Sequence, residues 1–228
     1  MTAQSGFSFN DFAAAGHVAA PTHHQGAPME VTLYSDGSSR GNPGPGGYGT
    51  ILRYTAPSGA VHEKEFSAGF SCTTNNRMEL LGCIVGLEAL KRPCTVTVYS
   101  DSQYLVNAFN QNWVAGWLKR GWKNSQKQPV KNDDLWKRLL AAKEPHDVTF
   151  VWVKGHAGHA ENERCDELAT TAADNPVCHQ QDIGFFGGIC EDDLLGRLCV
   201  WKDAKVVFMD RVSFRIKACI KREDLENV

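Results

Sequence analysis

The sequence predicts an α/β fold: a five-stranded mixed sheet flanked by helices, with a small β-rich segment appended at the C-terminal end. Two observations carry this prediction. Three strand patterns come first, and two more strand patterns then alternate with helical ones, in the order β-β-β-α-β-α-α-β-α. A separate stretch near the C-terminus alternates apolar and polar residues with the period of a strand.

Each element follows from a local pattern. A strand at 31–35 comes first, and a loop rich in glycine and proline follows at 41–47. The strand runs 48–55 and 61–70 then flank Ser58-Gly59 as a hairpin. Helix 76–90 follows, with one apolar face, the capping-box spacing of Asn76 and Glu79, and Pro93 just past its end. The later elements are a strand at 95–100, helices at 102–109 and 132–143, a strand at 148–153 and a helix at 160–173.

The length and composition set the domain organisation. A chain of 228 residues with net charge −2 can hold one domain of about 150 residues plus appendages. We expect a disordered tail at 1–28, a catalytic domain at 29–174 and a C-terminal extension at 175–228 that forms a β-meander. In the extension, Leu198–Trp201 and Lys205–Met209 flank a turn, and the alternating run follows at 212–220.

Several function classes are disfavoured by composition. No apolar run approaches the roughly 20 residues that a membrane span needs. The first basic residue is Arg40, so the N-terminal end lacks the features of a signal or transit peptide, and we expect a cytoplasmic protein with no membrane partner. The eight cysteines include no CxxC pair, which favours reduced thiols over a disulfide framework.

Four carboxylates stand in four separate structural signals. Asp36 and Asp101 end strand patterns, Glu79 lies near the start of a helical pattern, and Asp166 lies inside the last helix. If the two strands are parallel neighbours, both aspartates reach the edge where open α/β sheets usually place their sites. Converging acids repel one another, so they need cations between them. Such a site suits a two-metal phosphodiester hydrolase.

A basic, tryptophan-containing stretch suggests a nucleic-acid partner. Between Ser102 and Asn132 there is no acid, whereas five bases occur there: Lys119, Arg120, Lys123, Lys127 and Lys131. Trp113, Trp117 and Trp122 interleave with these bases. The tryptophans either stack on sugars or form a small core that supports the basic side chains. Lysines bind phosphates without reading sequence, so affinity should fall with salt.

These segments together resemble the bacterial type I ribonuclease H family. The matching stretches run in family order across residues 30–173 and include Tyr-Ser-Asp-Gly-Ser, Gly-Asn-Pro-Gly-Pro-Gly-Gly-Tyr-Gly, Thr-Thr-Asn-Asn-Arg-Met-Glu, Ser-Asp-Ser-Gln-Tyr, Lys-Arg-Gly-Trp-Lys and Gly-His-Ala-Gly-His-Ala-Glu-Asn-Glu-Arg-Cys-Asp-Glu-Leu-Ala. The resemblance implies a ribonuclease H-like fold and a monomer. It also implies cleavage of the RNA strand of RNA–DNA hybrids with two Mg²⁺ ions, or Mn²⁺, leaving 5′-phosphate and 3′-hydroxyl ends.

The resemblance also assigns roles to particular residues. Asp36, Glu79, Asp101 and Asp166 would be the metal ligands, and His156 would assist water activation or product release. Hybrid contacts would come from amides and from residues on the basic stretch: Asn42, Thr74, Asn75, Asn76, Gln103, Trp113, Trp117, Lys119, Arg120, Trp122 and Lys123. Short amides can read the 2′-hydroxyls that distinguish RNA from DNA.

Two other function classes fit parts of the pattern. A non-catalytic hybrid-binding module would have no need for four repelling carboxylates. A DNA-cutting nuclease or recombinase of the same fold would not need the group Asn42, Asn75 and Asn76. For the C-terminal extension three alternatives remain: it covers part of the catalytic domain, it extends the substrate surface, or it binds a protein partner.

Overall fold

The catalytic region is built on one five-stranded sheet. The computed structural model describes residues 28–155 and 157–185, together with three strands between residues 198 and 221. The strands of the large sheet are β1 (Met29–Ser39), β2 (Gly44–Thr55), β3 (Val61–Thr73), β4 (Cys94–Ser100) and β5 (Asp147–Trp152). The helices are α1 (Asn75–Glu88), α2 (Gln103–Asn110), α3 (Trp113–Lys119), α4 (Asp133–Lys143) and α5 (Ala160–Ala173).

The sheet is mixed, and its strand order is β3-β2-β1-β4-β5. β1 pairs antiparallel with β2 and parallel with β4, and β4 pairs parallel with β5. The predicted five-stranded mixed sheet flanked by helices is therefore confirmed. One difference is a third helix between β4 and β5, because α3 forms a separate turn-and-helix unit after α2.

The burial pattern follows the strand period. In β1, Val31, Leu33 and Ser35 are buried on the side that faces α1, and in β4 the buried residues alternate in the same way. α1 is buried on almost all sides, from Arg77 to Leu87, because it packs against the sheet and α4. This central position places the residues of α1 close to the ends of β1 and β4.

The helix α5 packs unusually close to the hairpin of β2 and β3. A Cβ atom on Gly49 would clash with the backbone carbonyl of Cys165, and one on Gly69 would clash with that of Ala172. Only glycine permits such an approach. Because α5 carries Asp166, these glycines set the depth at which that acid lies.

Two local predictions were wrong. Residues 44–47, predicted as loop, belong to β2, since Gly46 and Gly47 pair with both β1 and β3 despite their low strand propensity. The capping box of Asn76 with Glu79 is absent. α1 begins at Asn75, with Thr74 at the N-cap, so the Glu79 side chain is free to point elsewhere.

Residues that follow α5 return to the sheet. Gln180 donates its backbone N–H to Gly69 O at 2.7 Å and accepts a hydrogen bond from Ser71 N at 3.0 Å, which extends the outer edge of β3. His179 Nε2 lies 3.0 Å from the carbonyl oxygen of Ala173. The first residues beyond 174 are thus packed against β3 and α5.

The remaining segments are described only in part. The predicted tail 1–28 lies outside the described residues, apart from its last position. In the extension, β6 (Leu198–Lys202), β7 (Lys205–Met209) and β8 (Ile216–Lys221) form an antiparallel sheet in the order β6-β7-β8. Among the helices of the described residues, none has the length and apolar character required to cross a bilayer.

Candidate active site

Three of the four predicted acids come together where the parallel pairing of β1 with β4 stops. Asp101 follows the last residue of β4, whereas Asp36 lies within β1, which continues to Ser39 and is longer than the predicted strand 31–35. The parallel ladder between these strands ends at Tyr34 and Tyr99, and Asp36 and Asp101 each follow two residues later. Glu79 reaches the same point from α1. One ligand atom from each of the three acids lies within 4.8 Å of the others.

Glu79 is held at this point by a close contact between α1 and β1. Gly37 lies against the backbone of α1, since a Cβ there would come within 2.5 Å of Glu79 N. Asn75 Nδ2 donates to Glu79 Oε1 at 3.1 Å. The second oxygen, Oε2, is buried and has no hydrogen-bond partner in the described part of the chain.

The electrostatics of the acid cluster disfavour three bare negative charges. Asp36 is 7% exposed and Glu79 is 5% exposed. Burial raises the pKa of Asp36 to about 7, the charges of Asp101 and Asp166 add to this rise, and the Gly37 N–H opposes it. Burial also raises the pKa of Glu79 well above its usual range, again with help from the neighbouring acids. A cation bound between the acids would stabilise the charged forms of both Asp36 and Glu79.

The donor set fits a hard divalent cation. Carboxylate oxygens are the ligands that Mg²⁺ and Ca²⁺ prefer, and three of them converge here. The unpartnered Glu79 Oε2 supports this fit, because buried acceptors almost always have a partner.

The fourth acid, Asp166, lies at the edge of this cluster. It is half-buried on α5 and accepts a hydrogen bond from Thr170 Oγ1 at 3.3 Å. It is not part of the group within 4.8 Å, but it is near enough to raise the pKa of Asp36. The structure therefore places Asp166 as a peripheral member of the site.

The surroundings of Asp101 include two residues that sequence reasoning missed. Trp152 Nε1 donates to the backbone oxygen of Asp101 at 3.0 Å, and Asn162 Nδ2 lies 3.5 Å from its Oδ2. Gly155 lies so close that a Cβ there would clash with this carboxylate. The sequence did contain a signal for Asn162: it lies four residues before Asp166, and residues with this spacing share a helix face.

Two of the predicted hybrid-contacting amides connect to the acid cluster, because Asn75 bonds Glu79 and Asn42 bonds Asn75. Asn42 Oδ1 accepts a hydrogen bond from Asn75 N at 3.3 Å, which joins the loop after β1 to the start of α1. Asn76 and Gln103 are exposed, and Thr74 is half-buried at the N-cap of α1. The predicted general acid–base residue, His156, lies outside the described residues.

The basic stretch forms α3 and the loop after it. Trp117 packs edge-on against Trp136 at a centroid distance of 5.3 Å, and Trp122 lies under Lys137. These two rings therefore form a small core. Trp113 is 37% exposed. All five bases of the stretch are exposed: Lys119, Arg120, Lys123, Lys127 and Lys131.

A buried ion-pair network holds the start of α1, and sequence reasoning missed it. Arg77, two residues before Glu79, is bonded to Asp182 through Nε at 2.6 Å and to Asp134 through Nη2 at 2.7 Å. Thr73 Oγ1 also donates to Asp182 at 2.6 Å. No local pattern marks this pairing, because Asp182 is 105 residues from Arg77.

Comparisons with known proteins identify a matching family. The RNase H family model matches residues 28–174. A protein named Ribonuclease H from Lachnoclostridium phytofermentans is 67% identical over 147 residues, which are 64% of this chain and 93% of that protein. Ribonuclease H from Citrobacter koseri is 59% identical over 156 residues, which are 68% of this chain and 96% of that protein.

A solved structure shows the same fold. The crystal structure of LC9-RNase H1, described as a type 1 RNase H with the type 2 active-site motif, superposes with a TM-score of 0.59 at 30% identity. The match covers 85% of this chain and 94% of that one. The matched sheet, the acid cluster and the curated relatives lead to one conclusion: the chain belongs to the bacterial type I branch of the RNase H family, which are endoribonucleases that cut the RNA strand of RNA–DNA hybrids.

Proposed function

We propose that this protein hydrolyses the RNA strand of RNA–DNA hybrids by two-metal-ion catalysis, with Mg²⁺ as the cation and without strong sequence preference. The products would carry 5′-phosphate and 3′-hydroxyl ends. The convergence of Asp36, Glu79 and Asp101 within 4.8 Å carries this proposal.

The four carboxylates would hold the cations. Two bound Mg²⁺ ions would supply an activated water and would stabilise charge on the leaving 3′ oxygen. Asp36, Glu79 and Asp101 offer the converging oxygens, and Asp166 adds a peripheral one. His156, four residues before α5 in the sequence, would move a proton during water activation or product release.

The two strands of the hybrid would be held by different parts of the surface. The amides Asn42, Asn75, Asn76 and Gln103 would contact sugar edges and 2′-hydroxyls of the RNA. The hydrogen bonds of Asn75 to Glu79 and to Asn42 support this role. Thr74 and the exposed bases on and after α3 would hold phosphates of the DNA strand. Trp113 is the ring of the basic stretch most available for stacking on a sugar.

The test uses labelled RNA–DNA, RNA–RNA and DNA–DNA duplexes with Mg²⁺ or with EDTA. We expect cleavage of the hybrid alone, only with Mg²⁺, and only in the RNA strand. Asp101→Asn should abolish cleavage while the hybrid still binds in Ca²⁺. Asp133→Asn is the matched control, because Asp133 is an exposed acid paired with Lys137. Retained Mg²⁺-dependent cleavage by Asp101→Asn would refute the role of Asp101, and cleavage of the DNA duplex would refute the substrate assignment.

A further inference from the structure

A buried amide lies behind the acid cluster. Asn162, in the first turn of α5, is 3% exposed. Its Nδ2 lies 3.5 Å from Asp101 Oδ2, and its Oδ1 is buried without a hydrogen-bond partner in the described part of the protein. The reverse amide orientation would place an oxygen against the carboxylate, so charge repulsion favours the orientation observed.

The position of Asn162 is set from two directions. It lies four residues before Asp166, so both side chains occupy the same face of α5. The carboxylate that it contacts is also confined by Gly155, since a Cβ there would clash with Asp101 Oδ2. The amide thus contacts Asp101 and shares a helix face with Asp166.

The unpartnered oxygen of Asn162 has a counterpart in the acid cluster. Buried acceptor atoms rarely lack a hydrogen-bond partner. At this site two of them, Glu79 Oε2 and Asn162 Oδ1, have none within the described residues. Mg²⁺ keeps several of its waters when bound to a protein, and these waters are hydrogen-bond donors. Residues that contact the ligands and waters of a metal ion orient them, and they influence affinity strongly.

We propose that Asn162 is a positioning residue for cation binding. Its Nδ2 holds the Asp101 carboxylate, and its Oδ1 accepts a hydrogen bond from the hydration shell of the divalent cation. The inference rests on the proposed function, because it takes the acid cluster as the cation site.

The test measures Mg²⁺ binding to the substrate-free, full-length protein by isothermal titration calorimetry. Asn162→Ala should weaken Mg²⁺ affinity by about 10-fold or more, the range expected for residues behind the direct ligands. Asn110→Ala is the matched control, because it also removes an amide hydrogen bond, to Phe150 O at 3.2 Å. The control should bind Mg²⁺ as the wild type does.

A third variant separates failure of this inference from failure of the proposed function. Asp101→Asn should weaken Mg²⁺ binding at least as much as Asn162→Ala. If Asp101→Asn binds Mg²⁺ with wild-type affinity, the acid cluster is not the cation site and the proposed function fails. If only Asp101→Asn is impaired and Asn162→Ala binds normally, the role of Asn162 is overturned and the proposed function stands.

Cleavage kinetics supply a readout that a purely structural role would not change. For Asn162→Ala, kcat should rise toward the wild-type value as Mg²⁺ is increased about 10-fold, while the KM for the hybrid stays constant. A loss of kcat that no Mg²⁺ concentration relieves would contradict the proposal.

A conservative variant keeps the test valid if Asn162→Ala folds poorly. Asn162→Asp preserves the shape but puts a negative charge beside Asp101. Saturating Mg²⁺ should therefore raise its Tm more than it raises the Tm of the wild type, because the cation relieves the added repulsion. An equal rise would contradict the proposal.

Discussion

Removal of the Asp182 carboxylate should destabilise the catalytic domain. The Arg77 and Asp182 side chains are 3% and 8% exposed, and two guanidinium nitrogens of Arg77 donate to Asp182 at 2.6 and 2.7 Å. Thr73 donates a third hydrogen bond. Asp182→Ala would leave a buried guanidinium with one fewer counter-charge and a buried hydroxyl without its acceptor.

The expected loss of stability is about 3 kcal/mol. Removal of one partner from a buried ion pair costs roughly 3–5 kcal/mol. The low end applies because Arg77 keeps Asp134, whose carboxylate lies 2.7 Å from Nη2 and is partly exposed. For a domain of this size each kcal/mol shifts the melting temperature by about 2–4 °C, so Tm should fall by roughly 6–12 °C.

The assay is urea and thermal unfolding, with kcat measured well below the melting temperature. Asp133→Asn is the control, because its pairing with Lys137 is exposed and of the (i, i+4) type, worth only about 0.3–0.5 kcal/mol. Because Arg77 and Glu79 both belong to α1, a shift of this helix after loss of the Asp182 contact should also lower kcat, even where the protein is fully folded.

Two truncations isolate the segment that carries Asp182. A chain that ends after Phe185 keeps the network, whereas one that ends after Asn175 loses it, and both lack residues 186–228. The shorter chain should be the less stable of the two by at least the loss expected for Asp182→Ala. Equal stability of the two truncated chains, or a change of less than about 1 kcal/mol for Asp182→Ala, would refute the reasoning.

Two further predictions concern the acids and the packing of α5. In EDTA the folded state holds the proton of Asp36 up to about pH 7 while the unfolded chain releases it near 3.8, so stability should fall as pH rises between these values. The total loss in the free energy of unfolding should be on the order of 4 kcal/mol. Measured by urea unfolding, the stability of Asp36→Asn relative to the wild type should therefore increase as pH rises. A stability difference between the two proteins that does not change with pH would contradict this. Gly49→Ala should cost about 1–3 kcal/mol and lower kcat, because the new methyl group clashes with α5. Thermal unfolding measures the stability loss. If Gly49→Ala is as stable as the wild type, α5 can move to accommodate the added methyl group and the prediction is wrong.

The sequence predicted a helix or strand well where its hydrophobic periodicity and the residues at its two ends indicate the same bounds. The last helix was predicted at residues 160–173, and α5 has those bounds. The start of β2 was missed because Gly44, Pro45, Gly46 and Gly47 have turn propensity. Pairing of Gly46 and Gly47 with both β1 and β3 keeps this segment in the sheet. The cap of α1 was misplaced for a similar reason: Glu79 satisfied a local spacing rule, but its side chain is held by Asn75 and Gly37 among the acids.

The sequence by itself determined the order of the strands and helices and the placement of Asp101 directly after a strand. These features depend on periodicity over a few residues, which local burial and backbone sterics enforce. Tertiary structure decided how the acids converge, where Asn162 meets Asp101 and how Asp182 reaches Arg77. These contacts join residues 61 and 105 positions apart, and they form only when the sheet closes and α5 packs on it. The physical reason is that a side chain's partner across such a distance depends on the whole packing arrangement, which no short pattern encodes.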